Sequence, residues 1–166
     1  MPLPTTHVLI NLAIFFPFRK KLGKYWFVFA AFSGLVLDFD FILELIQNFF
    51  GFNNFFLTHG GIIHSLGFVL LLGMISTIIY YKNREYGKYG FILSAGCFVH
   101  LILDFVLGGG QYSLMLLYPF VETQFRLHLL EPYTLLNIYE ILDAVLIMCA
   151  LATLFYLQRK KKSRLI

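Results

Sequence analysis

The sequence predicts an all-α fold, a polytopic membrane helical bundle of about four transmembrane helices with a short N-terminal helix, on three observations. Hydrophobic residues make up 59% of the 166 and charged residues only 13%, with a mean hydropathy of +0.77. A soluble domain carries about 25% charged residues, so most of this surface must face lipid. Apolar stretches of about 20 residues, the length that crosses a hydrocarbon core, recur near positions 25–47, 61–81, 89–107 and 136–157. Basic clusters at 19–24, 82–88 and 159–164 all fall on one side of such a four-span arrangement. The positive-inside rule makes that side the cytoplasm. The length fits a single domain over 1–166.

Residues 1–18 read as a short N-terminal helix. The run has neither a basic n-region nor a small-residue cleavage site, so a removable signal peptide is not expected. Thr5 or Thr6 offers a cap, Pro17 closes the helix, and the length falls short of a crossing. The first span, 25–47, carries Asp38 and Asp40 near its middle and Glu44 one turn on. Two residues apart on a regular helix is about 200°, so either the helix is distorted there or the two aspartates serve different ends. Residues 48–60, rich in Phe, Gly and Asn, read as an aromatic interfacial loop.

The second span, 61–81, opens on His64 and Ser65, with His59 just before it, and ends in a polar turn around Lys82, Arg84 and Lys88. The third span, 89–107, carries His100 and Asp104 four residues apart. That spacing puts an imidazole and a carboxylate on one helix face, able to hold one object between them, and a metal ion is the expected object. Gly96 and Gly108 continue the same stripe, which lets a backbone or ligand come close. The plain alternative is a polar contact between packed helices, but ionisable groups inside membrane-grade segments usually pair, ligate or line a pathway.

Residues 108–136, with Pro119, Glu122, Arg126, His128, Glu131 and Pro132, are too long and too apolar for an idle turn, and are expected to fold back as an outer loop or lid. The fourth span, 136–157, has Asn137, Glu140 and Asp143 on one side of its first turns, and 158–166 form a basic cytoplasmic tail with an affinity for anionic lipid. Cys97 and Cys149 lie in apolar helices without a metal or disulfide spacing and read as small core residues. Nucleic acid is excluded as a partner, because the basic runs lack aromatic interleaving; membrane lipid is the expected one.

Under the topology set by charge, His59, His64, His100, His128 and every carboxylate except Glu85 lie in the outer half of the bilayer or beyond it. His7 joins them if the N-terminal segment enters from outside. Several imidazoles and carboxylates at one depth on separate spans are hard to explain by packing. Such mixed ligands suit zinc first, then manganese or iron, and the ligand count allows two or more ions.

Thr6-His7, SGLVLDFD (33–40), THGGIIHS (58–65), HLILD (100–104) with its glycines, and LYPF (117–120) come in a characteristic order. In these motifs the sequence resembles the LexA-regulated inner-membrane metal-dependent hydrolases, a family distantly similar to the zinc-dependent phospholipase C group. The resemblance covers most of the chain. It implies a metal-binding hydrolase of the inner membrane whose ligand candidates are His7, Asp38, Asp40, His59, His64, His100 and Asp104. Two positions depart from the family pattern: Leu37 stands where a proline is usual, and Gly60 where an arginine is.

The leading functional expectation is therefore hydrolysis of a phosphoester, a lipid among the candidates, by a metal-activated water on an outward-facing site. Asp38 and Asp40 are the catalytic candidates, whichever is not a ligand acting as general base. A metal-ion or proton transport protein would use the same residues, but the inner halves of the spans offer mainly Ser76 and Thr77 as stepping stones. A haem bundle with His64 and His100 as axial ligands would not need the aspartates. A non-catalytic metal-stabilised scaffold is the remaining alternative, favoured by the missing arginine.

Overall fold

The computed structural model describes residues 4–52, 58–107 and 114–125, with the single positions 127, 145 and 149. The expected fourth span, the basic tail, the glycine triplet at 108–110, and Arg126, His128, Glu131, Asn137, Glu140 and Asp143 lie outside them. The described residues are mainly helical: α1 (Pro4–Phe15), α2 (Arg19–Leu22), α3 (Trp26–Ser33), α4 (Asp40–Phe50), α5 (Leu66–Lys82) and α6 (Arg84–Leu107). Short 3₁₀ turns cover Phe16–Phe18, Leu37–Phe39 and Ile62–His64.

Pro4 opens α1, where its fixed φ and missing N–H cost nothing. The helix thus starts before both threonines expected to cap it, and Thr6 is buried instead, beside His7 and Asn11. Pro17 lies in the turn that follows, and Gly23 (φ 96°) ends α2 before the chain reverses into α3.

The first span is not the continuous helix expected over 25–47. Trp26–Ser33 and Leu37–Phe50 meet at a 51° bend. Gly34 stands at the break, and a β-carbon there would meet the backbone of His7 and Val8 at 2.7–2.8 Å, so only glycine lets α1 cross this close. Beyond the break, α4 is inside out: Asp40 and Gln47 are buried while Phe41, Leu45, Phe49 and Phe50 are exposed.

The second helix begins five residues later than expected, because 61–65 form a turn whose Ser65 Oγ accepts the Phe68 N–H at 3.1 Å and caps α5. The polar turn expected over 82–88 is a single residue, Asn83. Its Oδ1 accepts the N–H groups of Glu85 and Tyr86 at 3.0 and 3.2 Å, so α6 starts at Arg84 rather than near 89. α5 and α6 then pack as a hairpin on small residues: a β-carbon at Gly87 would run into the Tyr80 backbone, and one at Gly90 into Ser76.

Part of the expected lid is described. Leu114 and Phe125 exchange backbone hydrogen bonds at 3.0 and 2.9 Å, closing a loop that lies on the start of α5. The carbonyls of Leu116 and Tyr118 accept the N–H groups of Leu66 and Gly67 at 2.8 and 3.2 Å, which satisfies amides that a helix N-terminus leaves open.

Among the described residues, α6 alone is long and apolar enough to cross a bilayer; the bent pair taken as one span makes a second, and α5 is a shorter apolar helix. Cys97 is buried as expected, whereas Cys149 is exposed, which a small apolar thiol tolerates on a hydrophobic surface. Burial is inverted relative to a soluble protein. Thr6, His7, Asn11, Ser33, His64, His100 and Asp104 are inside, while Leu70, Met74, Ile78 and Phe98 are outside.

Candidate metal centre

Four elements bring side chains to one point at the end of the bundle away from the basic residues. α6 supplies His100 and Asp104, both buried, one turn apart as its period requires. The broken span supplies Asp38 from its 3₁₀ turn and Asp40 from the first residue of α4. The turn before α5 supplies His64, with His59 just upstream, and α1 supplies His7. The break between α3 and α4 explains how two aspartates two residues apart both reach this point, which a regular helix forbids.

The larger group is Asp38, His64, His100 and Asp104. Asp104 Oδ2 lies 3.1 Å from His100 Nε2 and 3.4 Å from His64 Nε2. Asp38 Oδ1 lies 3.4 Å from His100 Nε2 and 3.9 Å from His64 Nε2. A tetrahedral site with bonds of about 2.0–2.1 Å has edges of roughly 3.3–3.4 Å, so these separations are those of donors around one small cation. Alignment agrees with that, since His64 Nε2, His100 Nε2, Asp38 Oδ2 and both Asp104 oxygens are buried without a hydrogen-bond partner among the described residues. A buried polar atom left without a partner costs about 1–3 kcal/mol, which a cation shared by His64 Nε2, His100 Nε2 and Asp104 Oδ2 would relieve. The residues present therefore fit a divalent metal.

The ring nitrogens facing away from this point are engaged. His100 Nδ1 lies 3.2 Å from the Gly34 carbonyl, and His64 Nδ1 2.5 Å from Asp40 Oδ2. A carbonyl and a hydrogen-bonded carboxylate both ask for a donor, so each Nδ1 carries the proton and each Nε2 presents its lone pair inward. Asp40 also receives His59 Nδ1 at 2.6 Å and the Gly60 N–H at 3.2 Å. Asp40, His59 and His64 make a second group of close donors. Its short contacts are those of a carboxylate holding two imidazoles in place.

His7 belongs to neither group. Its ring stacks on His100 with centroids 3.7 Å apart, and its Nε2 lies 3.2 Å from Asp104 Oδ1. The haem reading has no room, because the His64 and His100 rings are 5.5 Å apart and share the same carboxylates. All seven sequence-derived candidates thus stand close together, six of them in two overlapping groups and His7 beside them, an arrangement that spacing could not show.

Several supporting residues escaped the reading of the sequence. Asn11 Nδ2 donates to Ser33 Oγ at 2.9 Å and to the Gly96 carbonyl at 3.2 Å, tying α1, α3 and α6 together beneath the site. Asn11 lies one turn after His7 on the same face, a signal available in the pattern. Glu44 Oε2 accepts the His59 N–H at 3.0 Å. The Gly34 carbonyl had no side-chain signal at all. Gly60, where the resemblance expects arginine, has φ 82°, a conformation L side chains rarely adopt, and its carbonyl accepts the Met115 N–H at 3.0 Å.

A family model described as YdjM inner membrane protein matches residues 1–163, and the chain belongs to that family. No curated protein and no solved structure matches it.

Proposed function

We propose that this member of the YdjM inner membrane protein family is a metal-dependent hydrolase of phosphoesters, lipid phosphoesters among them, with its site in the outer half of a bundle of about four spans. The observation that carries the reading is the convergence of four donors, Asp38, His64, His100 and Asp104, with the unpartnered Nε2 atoms of both histidines beside Asp104 Oδ2. Zinc suits two imidazoles and two carboxylates first, with manganese or iron as alternatives. Such an ion supplies Lewis acidity and lowers the pKa of water toward ~7.

The chain's own residues divide the remaining work. Asp40 is a positioning residue, because its two oxygens already take three hydrogen bonds and hold His64 and His59 in register. Asp38 is the catalytic candidate. Its side chain is 23% exposed where the other three of the group are sealed; with Oδ1 facing His100 as the metal donor, Oδ2, which has no hydrogen bond, would be the oxygen left to take a proton from an attacking water, so Asp38 serves as ligand and base together. His7 braces His100 from the α1 side by stacking. An apolar cleft of about 210 Å³ between Leu116 and three residues that follow His64, His100 and Asp104 in the chain, Leu66, Leu101 and Phe105, suits an acyl chain.

Metal content by elemental analysis, with turnover of a phosphodiester lipid, tests the reading. The wild type should hold a transition metal and hydrolyse the lipid; His100→Ala should lose both. A purified protein that neither contains nor takes up transition metal would refute it. Ion flux in proteoliposomes without hydrolysis would point to transport, and metal retention with neither activity to a scaffold.

A further inference from the structure

At the opposite end of the bundle every described Lys and Arg gathers: Arg19, Lys20, Lys21 and Lys24 around α2, Lys82 closing α5, and Arg84 and Lys88 opening α6. Lys88 is 12 residues before His100 on the same helix, about 18 Å along the axis. The one acidic group there among the described residues, Glu85, accepts the Tyr89 hydroxyl at 2.8 Å. Between α6 and the α1–α2 turn lies an apolar cleft of about 310 Å³ lined by Phe15, Leu22, Phe91, Ile92 and Ala95, with Lys88 at its rim. The Lys88 ammonium reaches the Lys21 carbonyl at 3.3 Å, which brings the basic turn to the mouth of the cleft.

We propose that this cleft binds an anionic glycerophospholipid, an acyl chain lying against Phe15, Phe91 and Ala95 and the phosphate meeting Lys20, Lys21 and Lys88. The argument is charge complementarity joined to shape. A point-like ammonium suits a phosphate, the neighbouring wall is apolar, and the surplus of positive charge selects an anionic headgroup over a zwitterionic one. Arg19 contributes less, because its guanidinium is folded 4.0 Å over the Phe16 ring and donates to the Phe16 carbonyl at 3.0 Å. The site is independent of the metal centre and of which membrane face it meets.

The test is titration of the purified full chain, in detergent micelles, with fluorescent phosphatidylglycerol and with phosphatidylcholine. The wild type should prefer phosphatidylglycerol. A basic side chain near an anionic surface is worth about fivefold in affinity, so Lys20→Ala/Lys21→Ala/Lys88→Ala should lose roughly 100-fold and with it the preference. Ala95→Trp, which fills the cleft but leaves the charges, should weaken binding of both lipids. The helical circular-dichroism spectrum and the thermal melt should match the wild type in both variants, which shows that they are folded. Equal wild-type binding of the two lipids, undiminished preference in the triple variant, or unaltered binding by Ala95→Trp would each overturn the proposal. A wild type that self-associates, and an Ala95→Trp variant that does not while its lipid binding is intact, would assign the cleft to a second copy and overturn it as well.

Discussion

Asp40→Asn is the substitution that separates holding a metal from holding the holder. Asp40 takes His64 Nδ1 at 2.5 Å, His59 Nδ1 at 2.6 Å and the Gly60 N–H at 3.2 Å, three donors on two oxygens. An asparagine keeps the shape but turns one oxygen into an NH₂ group, so at least one contact becomes donor against donor. Loss of one buried partner costs about 1–3 kcal/mol of stability without metal. His64 can relieve the clash by moving its proton to Nε2, the atom that faces His100 and Asp104, and its lone pair is then lost to the site. Disturbing an outer partner of this kind typically weakens metal binding about 10- to 100-fold, or roughly 1.4–2.8 kcal/mol. Competition against a chromophoric chelator in detergent measures the affinity, and thermal unfolding of metal-free protein measures the stability term separately. Asp40→Asn should therefore bind more weakly yet still bind, whereas Asp104→Ala should lose the metal. Wild-type affinity in Asp40→Asn would refute the reasoning, and so would a loss as complete as that of Asp104→Ala, which would make Asp40 a direct ligand.

Two further outcomes follow from the packing and the charge pattern. A β-carbon at Gly96 would fall onto Ser33 Oγ and against Asn11 Nδ2, so Gly96→Ala should force α3 from α6, lower the unfolding temperature and reduce metal content together; an unaffected melt would show that the α3–α6 contact is looser than described. With the basic clusters cytoplasmic, a cysteine at position 84 should resist a membrane-impermeant thiol reagent applied to intact cells, and labelling there from outside would invert the proposed topology.

The motif at 100–104 was legible because a helix has one period: on α6, four residues apart means the same face whatever surrounds it, and His100 and Asp104 stand so. Apolar composition likewise foretold an inverted molecule, and the buried Thr6, Asn11, Ser33 and His64 against exposed Phe41, Leu70 and Ile78 follow that pattern. Element boundaries were less legible where short polar side chains stop or start helices. Ser65 caps α5 and Asn83 caps α6, and each moved an end by several residues from where hydropathy alone would put it.

The sequence by itself determined the membrane-grade character of the chain, its helical class and the candidate residues of the site, because composition and period act locally. Only the tertiary structure decided how those residues divide. Asp38 and Asp40 are interchangeable in a motif, but the 51° break at Gly34 sends one toward His100 and the other beneath His64. At that break α1 passes so close to Gly34 that no side chain fits, and the same glycine's carbonyl meets the ring of His100. The Gly34–His100 contact joins residues 66 apart and the α1 crossing is a backbone approach, and neither leaves a trace in motif spacing, which is why only the fold shows that the two aspartates have different surroundings.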